Sequence, residues 1–220
     1  MRIVTAGAHG QVARRLTRLL SARGDTVVGI VRNPDHADDL RADGAEPVVL
    51  DLERAGVDQL AEVVSGADAV VFAAGAGPGS GDARKHTVDR GAAVLLADAA
   101  ERAGVRRYLL VSSMGVEQAR HGTPEDTDPA FAVYLQAKLA AEDDVLPRPG
   151  LDTVVLRPGR LTDSPGTGRV RLARGAEYGE VPRDDVAAVL VALLDAGTSG
   201  EVLELVGGDT PIADAVAALP

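Results

Sequence analysis

Short β-branched and aliphatic runs alternate along the chain with longer Ala, Leu and Arg stretches whose apolar positions recur at helical spacing. The strand-like runs are residues 2–6, 26–31, 46–50, 69–73, 107–112, 153–156 and 202–205. The spacing predicts helices over 11–23, 34–43, 57–64, 82–103, 129–146, 183–196 and 212–219. Gly24 and Gly104 follow helix ends, where a left-handed residue is wanted, and Pro182 sits where a first-turn proline is tolerated. Crossovers this long imply parallel pairing. The expected fold class is α/β: a doubly wound, mostly parallel sheet with helices on both faces and a small C-terminal extension on the substrate side.

Two segments break the rhythm. Residues 115–128 and 159–178 are rich in Gly, Pro, Thr and charge, and loops of that length in a compact domain tend to be binding loops or lids. Both follow strands, so both are expected to border a site at the carboxyl edge of the sheet. No repeat, low-complexity tract or composition shift marks a linker, so residues 1–220 are expected to form one domain.

Composition narrows the chemistry. Apolar residues make up 45% of the chain but aromatics only 2%, so aliphatic side chains must fill the core. The absence of cysteine excludes disulfides, thiolate metal sites and thiol catalysis, and leaves an intracellular protein as the default. A net charge of -10 disfavours a nucleic-acid partner. The sequence opens directly into a strand-like run without a secretory pattern, and the apolar run at 186–194 is far short of the roughly 18 residues that would suggest a membrane span. The expected location is the cytoplasm. His36, His86 and His121 lack partners at metal-ligand spacing, so no metal is expected.

Gly7-Ala8-His9-Gly10-Gln11-Val12-Ala13 joins the first strand to the first helix, the context in which a glycine-rich turn cradles a dinucleotide. Gly7 permits the tight turn, Gly10 lets backbone approach a pyrophosphate, and Ala13 replaces a third glycine where helix packs on strand. The helix start at Gln11 offers free N–H groups and positive dipole to phosphate, while His9 fills space in the loop. After the second strand stand Arg32 and Asn33, where an NAD-preferring site carries a carboxylate; Arg32 suits a 2′-phosphate, which favours NADP(H) and leaves NAD(H) possible. Asp51, followed by Leu52, can accept a bond from an adenine amine or cap the following turn. Ala73, Ala74 and Gly75 can line the dinucleotide without obstructing it.

Two more motifs complete the picture: Val111-Ser112-Ser113 closing the fifth strand, and Tyr134-Leu135-Gln136-Ala137-Lys138 in the next helix. With the cradle and Leu156-Arg157-Pro158-Gly159, these resemble the short-chain dehydrogenase/reductase superfamily in its extended and atypical branches. The short NmrA-like and biliverdin-reductase-B-like proteins are the nearest in pattern. The resemblance covers nearly the whole chain, including Val181-Pro182-Arg183-Asp184-Asp185-Val186-Ala187. It implies that Tyr134 is the general acid/base, that Lys138 activates it and holds the nicotinamide ribose, and that Ser113, with Ser112 in reserve, orients the substrate oxygen. The Tyr–Lys spacing places both side chains on one helical face. Ser112, Tyr134, Lys138, Pro158, Gly159 and Arg160 join the expected cofactor contacts.

The resemblance implies NADP(H)-dependent hydride transfer to or from a small carbonyl or unsaturated substrate. Two rivals stand beside it: a dinucleotide-binding regulator or redox sensor without turnover, and a sugar-nucleotide epimerase or dehydratase. The chain is expected to lack the substantial C-terminal substrate domain of extended members. Met114-Gly115-Val116-Glu117 follows the serine pair, where nucleotide-sugar enzymes carry tyrosine and glycine. Arg157, Arg160, Arg169, Arg171, Arg174 and Arg183 crowd one stretch, so an anionic small-molecule substrate is one expectation and a solvated charged loop the other. A monomer or homodimer is expected.

Overall fold

A computed structural model describes residues 1–77, 81–122 and 127–219. Its elements run β1 (Arg2–Ala6), α1 (Gln11–Ala22), β2 (Thr26–Val31), a 3-10 turn (Pro34–His36), α2 (Ala37–Ala42), β3 (Ala45–Val49), α3 (Val57–Val64) and β4 (Ala69–Phe72). Next come α4 (Asp82–Arg84), a π-helical segment (Lys85–Ala92), α5 (Ala93–Ala103), β5 (Arg107–Val111), a 3-10 turn (Val116–Arg120), α6 (Pro129–Val145) and β6 (Asp152–Pro158). The chain closes with β7 (Arg160–Thr162), β8 (Arg169–Ala173), β9 (Glu180–Pro182), α7 (Arg183–Asp195), β10 (Glu201–Gly207), β11 (Thr210–Pro211) and α8 (Ile212–Ala217).

The main sheet has nine strands in the order β11-β8-β10-β6-β5-β4-β1-β2-β3. From β3 to β10 every pairing is parallel, with β8 antiparallel to β10 and β11 antiparallel to β8 at one edge. The expected doubly wound α/β fold is thus the one formed. The chain winds outward from β1 in one direction and from β4 in the other, and the crevice between their carboxyl ends is where such sheets take ligands.

Both faces of the sheet are buried, as parallel sheets require. Ile3, Val27, Val71, Leu109 and Val154 point to one face, which α1, α7 and α8 cover; Val4, Val28, Phe72, Leu110 and Val155 point to the other, against α3, α5 and α6. α1 shows how the sequence selects its face: Val12, Ala13, Leu16, Thr17 and Leu20 form one buried stripe. Gly24 and Gly104 both take positive φ, at 89° and 73°.

Two readings are corrected. Residues 159–178 are not an irregular loop, since β7 pairs with β9 and β8 with β10. The alternation in Arg169-Val170-Arg171-Leu172 is that of a strand with one buried face, with arginines outward and Val170 fully buried. Residues 82–103 form three segments rather than one regular helix, because wide π-type turns occupy Lys85–Ala92. In the 115–128 stretch the structure places a 3-10 turn at Val116–Arg120 and the cap Asp128; residues 123–126 lie outside the described residues.

The β1–α1 turn is pressed against the end of β4. Gly7 has φ 77°, and a Cβ there would stand 2.5 Å from the Ala74 Cα. Gly24, at φ 89°, has open space around the same position. Gly24→Ala should therefore cost about 1–2 kcal/mol for a left-handed alanine, and Gly7→Ala distinctly more, because backbone rather than a flexible side chain must move. Denaturant unfolding of the two variants in parallel measures the difference.

Candidate functional site

Two cavities lie along the carboxyl edge of the sheet and share Gly10 and the stretch Ala73–Gly77 as a common wall. The first, about 470 Å³, is bounded by Gly7, His9, Gly10, Arg32, Asn33, Asp51, Leu52, Ala73, Ala74 and Gly75. The second, about 860 Å³, is bounded by Gln11, Val12, Ser112, Ser113, Tyr134, Lys138, Pro158, Gly159 and Arg160 as well as the shared wall. Every residue singled out for cofactor or catalysis except Ala8 lines one or both.

Ala8 is the correction. Its side chain is fully buried, and its N–H donates to the Ile30 carbonyl at 3.1 Å, so neither faces the groove. The Gly10 N–H is also engaged, by Gly7 O at 2.9 Å. The first N–H of α1 to bond back within the helix is that of Arg14, to Gly10 O at 2.9 Å. The N–H groups of Gln11, Val12 and Ala13 thus stand free at the helix start. No acidic residue occupies the first turn and no side chain caps it, so the partial positive charge is left uncompensated.

The first cavity holds several side chains already engaged within the protein. The Asn33 Oδ1 caps the 3-10 turn through the Asp35 N–H at 3.1 Å, and Asp51 accepts from the Glu53 N–H at 3.1 Å, the turn-capping alternative. His9 stacks on His36 with centroids 3.6 Å apart and meets Asp39 through Nε2 at 2.7 Å. Arg32 reaches Glu53 at 3.2 Å. His36, Glu53 and Arg84 also line this cavity and were not signalled by the sequence, since they come together only when β2, β3 and α4 are assembled.

In the second cavity the two serines diverge, as neighbours at a strand end do. The Ser112 hydroxyl donates to the buried Glu142 carboxylate, while Ser113 lines the cavity and donates to Met114 O at 3.1 Å. That leaves Ser113 as the serine available to a ligand. Lys138, 3% exposed, donates to Ala74 O at 3.2 Å and Val111 O at 3.1 Å, with the fully buried Asp89 Oδ1 at 3.3 Å. Its ammonium lies 5.8 Å from the centre of the Tyr134 ring, and its hydrogen bonds go to the two strand-end carbonyls. Asp89 also accepts the Ala76 N–H at 3.1 Å, and Lys85, beside it, pairs with Asp82 at 3.1 Å. Sequence reasoning missed Asp89 and Lys85 because they lie in the stretch that reads as uninterrupted helix.

Four of the six arginines between residues 157 and 183 line neither cavity. Arg157 is buried against Glu142 at 2.5 Å and Glu117 at 3.1 Å. Arg174 pairs with Glu201, Arg169 with the Asp209 carbonyl, and Arg171 points outward from β8. Arg160, paired with Glu180, and Arg183, paired with Asp163, are the two that line the second cavity. Among the described residues no cluster of metal-ligating side chains occurs, and no helix is long and apolar enough to cross a membrane.

A doubly wound parallel sheet whose switch point carries a glycine turn and an uncompensated helix start is a dinucleotide-binding Rossmann domain. Residues 7–197 match the NAD(P)H-binding family, and the chain belongs to that family, in its atypical short-chain dehydrogenase/reductase, NmrA-like form. It is 36% identical to the uncharacterized sugar epimerase YhfK of Bacillus subtilis, across 98% of this chain and 99% of that one. A solved Bacillus halodurans structure named for an NAD-dependent epimerase/dehydratase superposes with a TM-score of 0.89 at 36% identity and full coverage of both chains. ChuY, an anaerobilin reductase from Escherichia coli O157:H7, superposes with a TM-score of 0.80 at 27% identity, covering 95% of this chain and 98% of that one.

The Ser112–Glu142–Arg157 network gives a stability test. Side chains of Glu142 and Arg157 are 3% and 10% exposed, and removing one partner of such a pair strands the other charge. Glu142→Ala should cost about 3–5 kcal/mol, and the double variant Glu142→Met/Arg157→Met should recover most of it. Chemical denaturation of both variants checks the contrast.

Proposed function

We propose that the protein is an NADP(H)-dependent oxidoreductase of the atypical short-chain type, acting on a small unsaturated or carbonyl substrate. The observation that carries the reading is the adjacency of the two cavities across their shared lining, Gly10 and Ala73–Gly77. The free helix start at Gln11 and Val12 borders the same cavity as Tyr134 and Ser113, and the shared wall Ala73–Gly77 joins that cavity to the one bordered by Gly7, Arg32 and Asp51. Gly7, Gly10, Gln11 and Val12 fit a pyrophosphate, Arg32 fits a 2′-phosphate, and Asp51 and Leu52 border the adenine end. Bound in this groove, the nicotinamide supplies or accepts a hydride.

The chain's own residues supply the rest. Tyr134 gives or takes a proton at the substrate oxygen, and Ser113 donates a hydrogen bond to that oxygen and fixes its place. Lys138 holds the Ala74 and Val111 carbonyls in place, and these residues would form part of the wall that holds a nicotinamide ribose. The chain has only three tyrosines and two phenylalanines and no tryptophan. Phe72 and Tyr108 are fully buried, whereas Phe131, Tyr134 and Tyr178 all line the second cavity, and Phe131 stacks on Tyr134 at 5.7 Å. Aromatic surface concentrated at one cavity suits a flat, conjugated substrate, and Arg160 and Arg183 in its lining suit a negative substituent. The reductase activity in the name of ChuY agrees with this reading. The protein would act in the cytoplasm, as a monomer or homodimer, with no nucleic-acid or membrane partner.

Two measurements test the proposal. Calorimetric titration should show NADPH binding more tightly than NADH, and Arg32→Ala should remove most of the difference, about tenfold for a lost charge-assisted bond; equal affinities would end the NADP(H) assignment. Tyr134→Phe should lower NADPH oxidation about 10²–10⁴-fold across quinone, flavin and enone substrates while leaving cofactor affinity in place. Turnover indifferent to that change points to a sensor, and product formed without net NADPH loss points to epimerisation.

A further inference from the structure

At the outer end of the first cavity stands a charge cluster assembled from separate parts of the chain. Glu53 follows β3, and its Oε2 accepts from Arg32 Nη1 at 3.2 Å and from Arg84 through Nη2 at 3.0 Å and Nε at 3.3 Å. Its Oε1 accepts from the Thr87 hydroxyl at 2.6 Å. Arg32 arrives from the end of β2, Arg84 from α4, and Thr87 from the π-helical segment. Arg32, Glu53 and Arg84 all line the cavity, and both arginines keep solvent-facing surface, at 54% and 37% exposure.

One carboxylate here faces two guanidinium groups and a hydroxyl donor. The cluster carries a surplus positive charge: its two arginines converge on one carboxylate oxygen from different sides, and Thr87 holds the other. A phosphate monoester, with about two negative charges and three acceptor oxygens, matches that donor set better than the carboxylate does. Arginine forks bind carboxylate and phosphate by the same geometry, so the two anions compete for one place. The Thr87 hydroxyl, first, and then Arg84 and Arg32 hold the Glu53 carboxyl below its usual range against the opposing effect of burial, so the competitor is charged at neutral pH.

We propose that Arg84, together with Arg32, forms the 2′-phosphate-selecting site, and that Glu53 is a built-in anion that fills the site until the phosphate displaces it. The inference rests on the NADP(H) reading and adds to it a second selecting cation and a resident competitor. A dinucleotide without the phosphate leaves Glu53 where it is and gains nothing from either arginine. A dinucleotide with it takes over both. Selectivity then depends on the difference between two anions at one site, and removing the weaker anion should sharpen binding of the stronger.

The experiment is calorimetric titration of the full chain with NADPH, NADH and 2′,5′-ADP, comparing the unaltered protein with Arg84→Ala, Glu53→Gln and Arg32→Ala. Arg84→Ala should weaken NADPH and 2′,5′-ADP about tenfold, as a lost charge-assisted bond would, and leave NADH unchanged. Glu53→Gln should tighten NADPH and 2′,5′-ADP several-fold, again without effect on NADH. An unaltered NADPH-to-NADH ratio in Arg84→Ala, or weaker NADPH binding in Glu53→Gln, overturns the proposal. If Arg32→Ala shifts the ratio while Arg84→Ala does not, this inference falls and the NADP(H) reading stands. If the unaltered protein shows no preference, both fall. Should Arg84→Ala not fold, Glu53→Gln alone decides, since that change keeps the side chain's shape.

Discussion

The Lys138 ammonium ties together the ligand-facing ends of four elements. It projects from α6, bonds the Ala74 carbonyl after β4 and the Val111 carbonyl at the end of β5, and faces Asp89 from the π-helical segment. A buried ammonium is tolerable only where acceptors surround it, and here backbone acceptors on adjacent strands meet that demand. Asp89 in turn accepts the Ala76 N–H. The Ala73–Gly77 stretch is thus held by Lys138 through Ala74 and by Asp89 through Ala76. Because that stretch is the common wall of the two cavities, the alignment of the phosphate-facing end with the Tyr134 end follows from this one buried pair.

Local features of this arrangement were legible in the sequence, and nonlocal ones were not. The β1–α1 turn could be read because strand, glycines and helix are contiguous, and Gly7 adopts the positive φ that the reading requires. The winding could be read because each crossover is a strand followed by a helix of recognisable period. Tyr134, Lys138 and Ser113 reach one cavity because β5 and α6 place them there. What escaped was the set of partners. Asp89 and Lys85 sit in a stretch whose composition is that of a regular helix, and inserted wide turns leave no mark in apolar spacing. β8 escaped because its outward arginines read as a charged loop until β10 supplies the strand it pairs with. The choice between Ser112 and Ser113 turned on Glu142, one helical turn beyond Lys138, whose claim on Ser112 is a tertiary contact.

The same distinction governs charge. Arginines between 157 and 183 look in sequence like a cationic patch inside an acidic chain, yet acids distant in sequence answer most of them: Glu142 for Arg157, Glu201 for Arg174, Glu180 for Arg160 and Asp163 for Arg183. Several of these pairs are exposed and contribute little to stability. Arg160–Glu180 bridges the paired strands β7 and β9, Arg174–Glu201 joins the end of β8 to β10, and the pairing leaves no broad positive field beside the second cavity.

An acidic chain that binds a phosphorylated cofactor must keep one place free of its own carboxylates. Most helix starts here do the opposite: α2 opens with Asp38 and Asp39, α3 with Asp58, α7 with Asp184 and Asp185, α8 with Asp214, and α6 is capped by Asp128. Each such acid satisfies N–H groups or opposes the positive end of the helix dipole. α1, beside the glycine turn, has no acid in its first turn and only Gly10 at its cap. A carboxylate there would neutralise the groups that a pyrophosphate uses and would repel it as well. The contrast among these helices turns a general property of helix ends into a local one, and it places the phosphate-facing charge at the crevice that the sheet topology opens between β1 and β4.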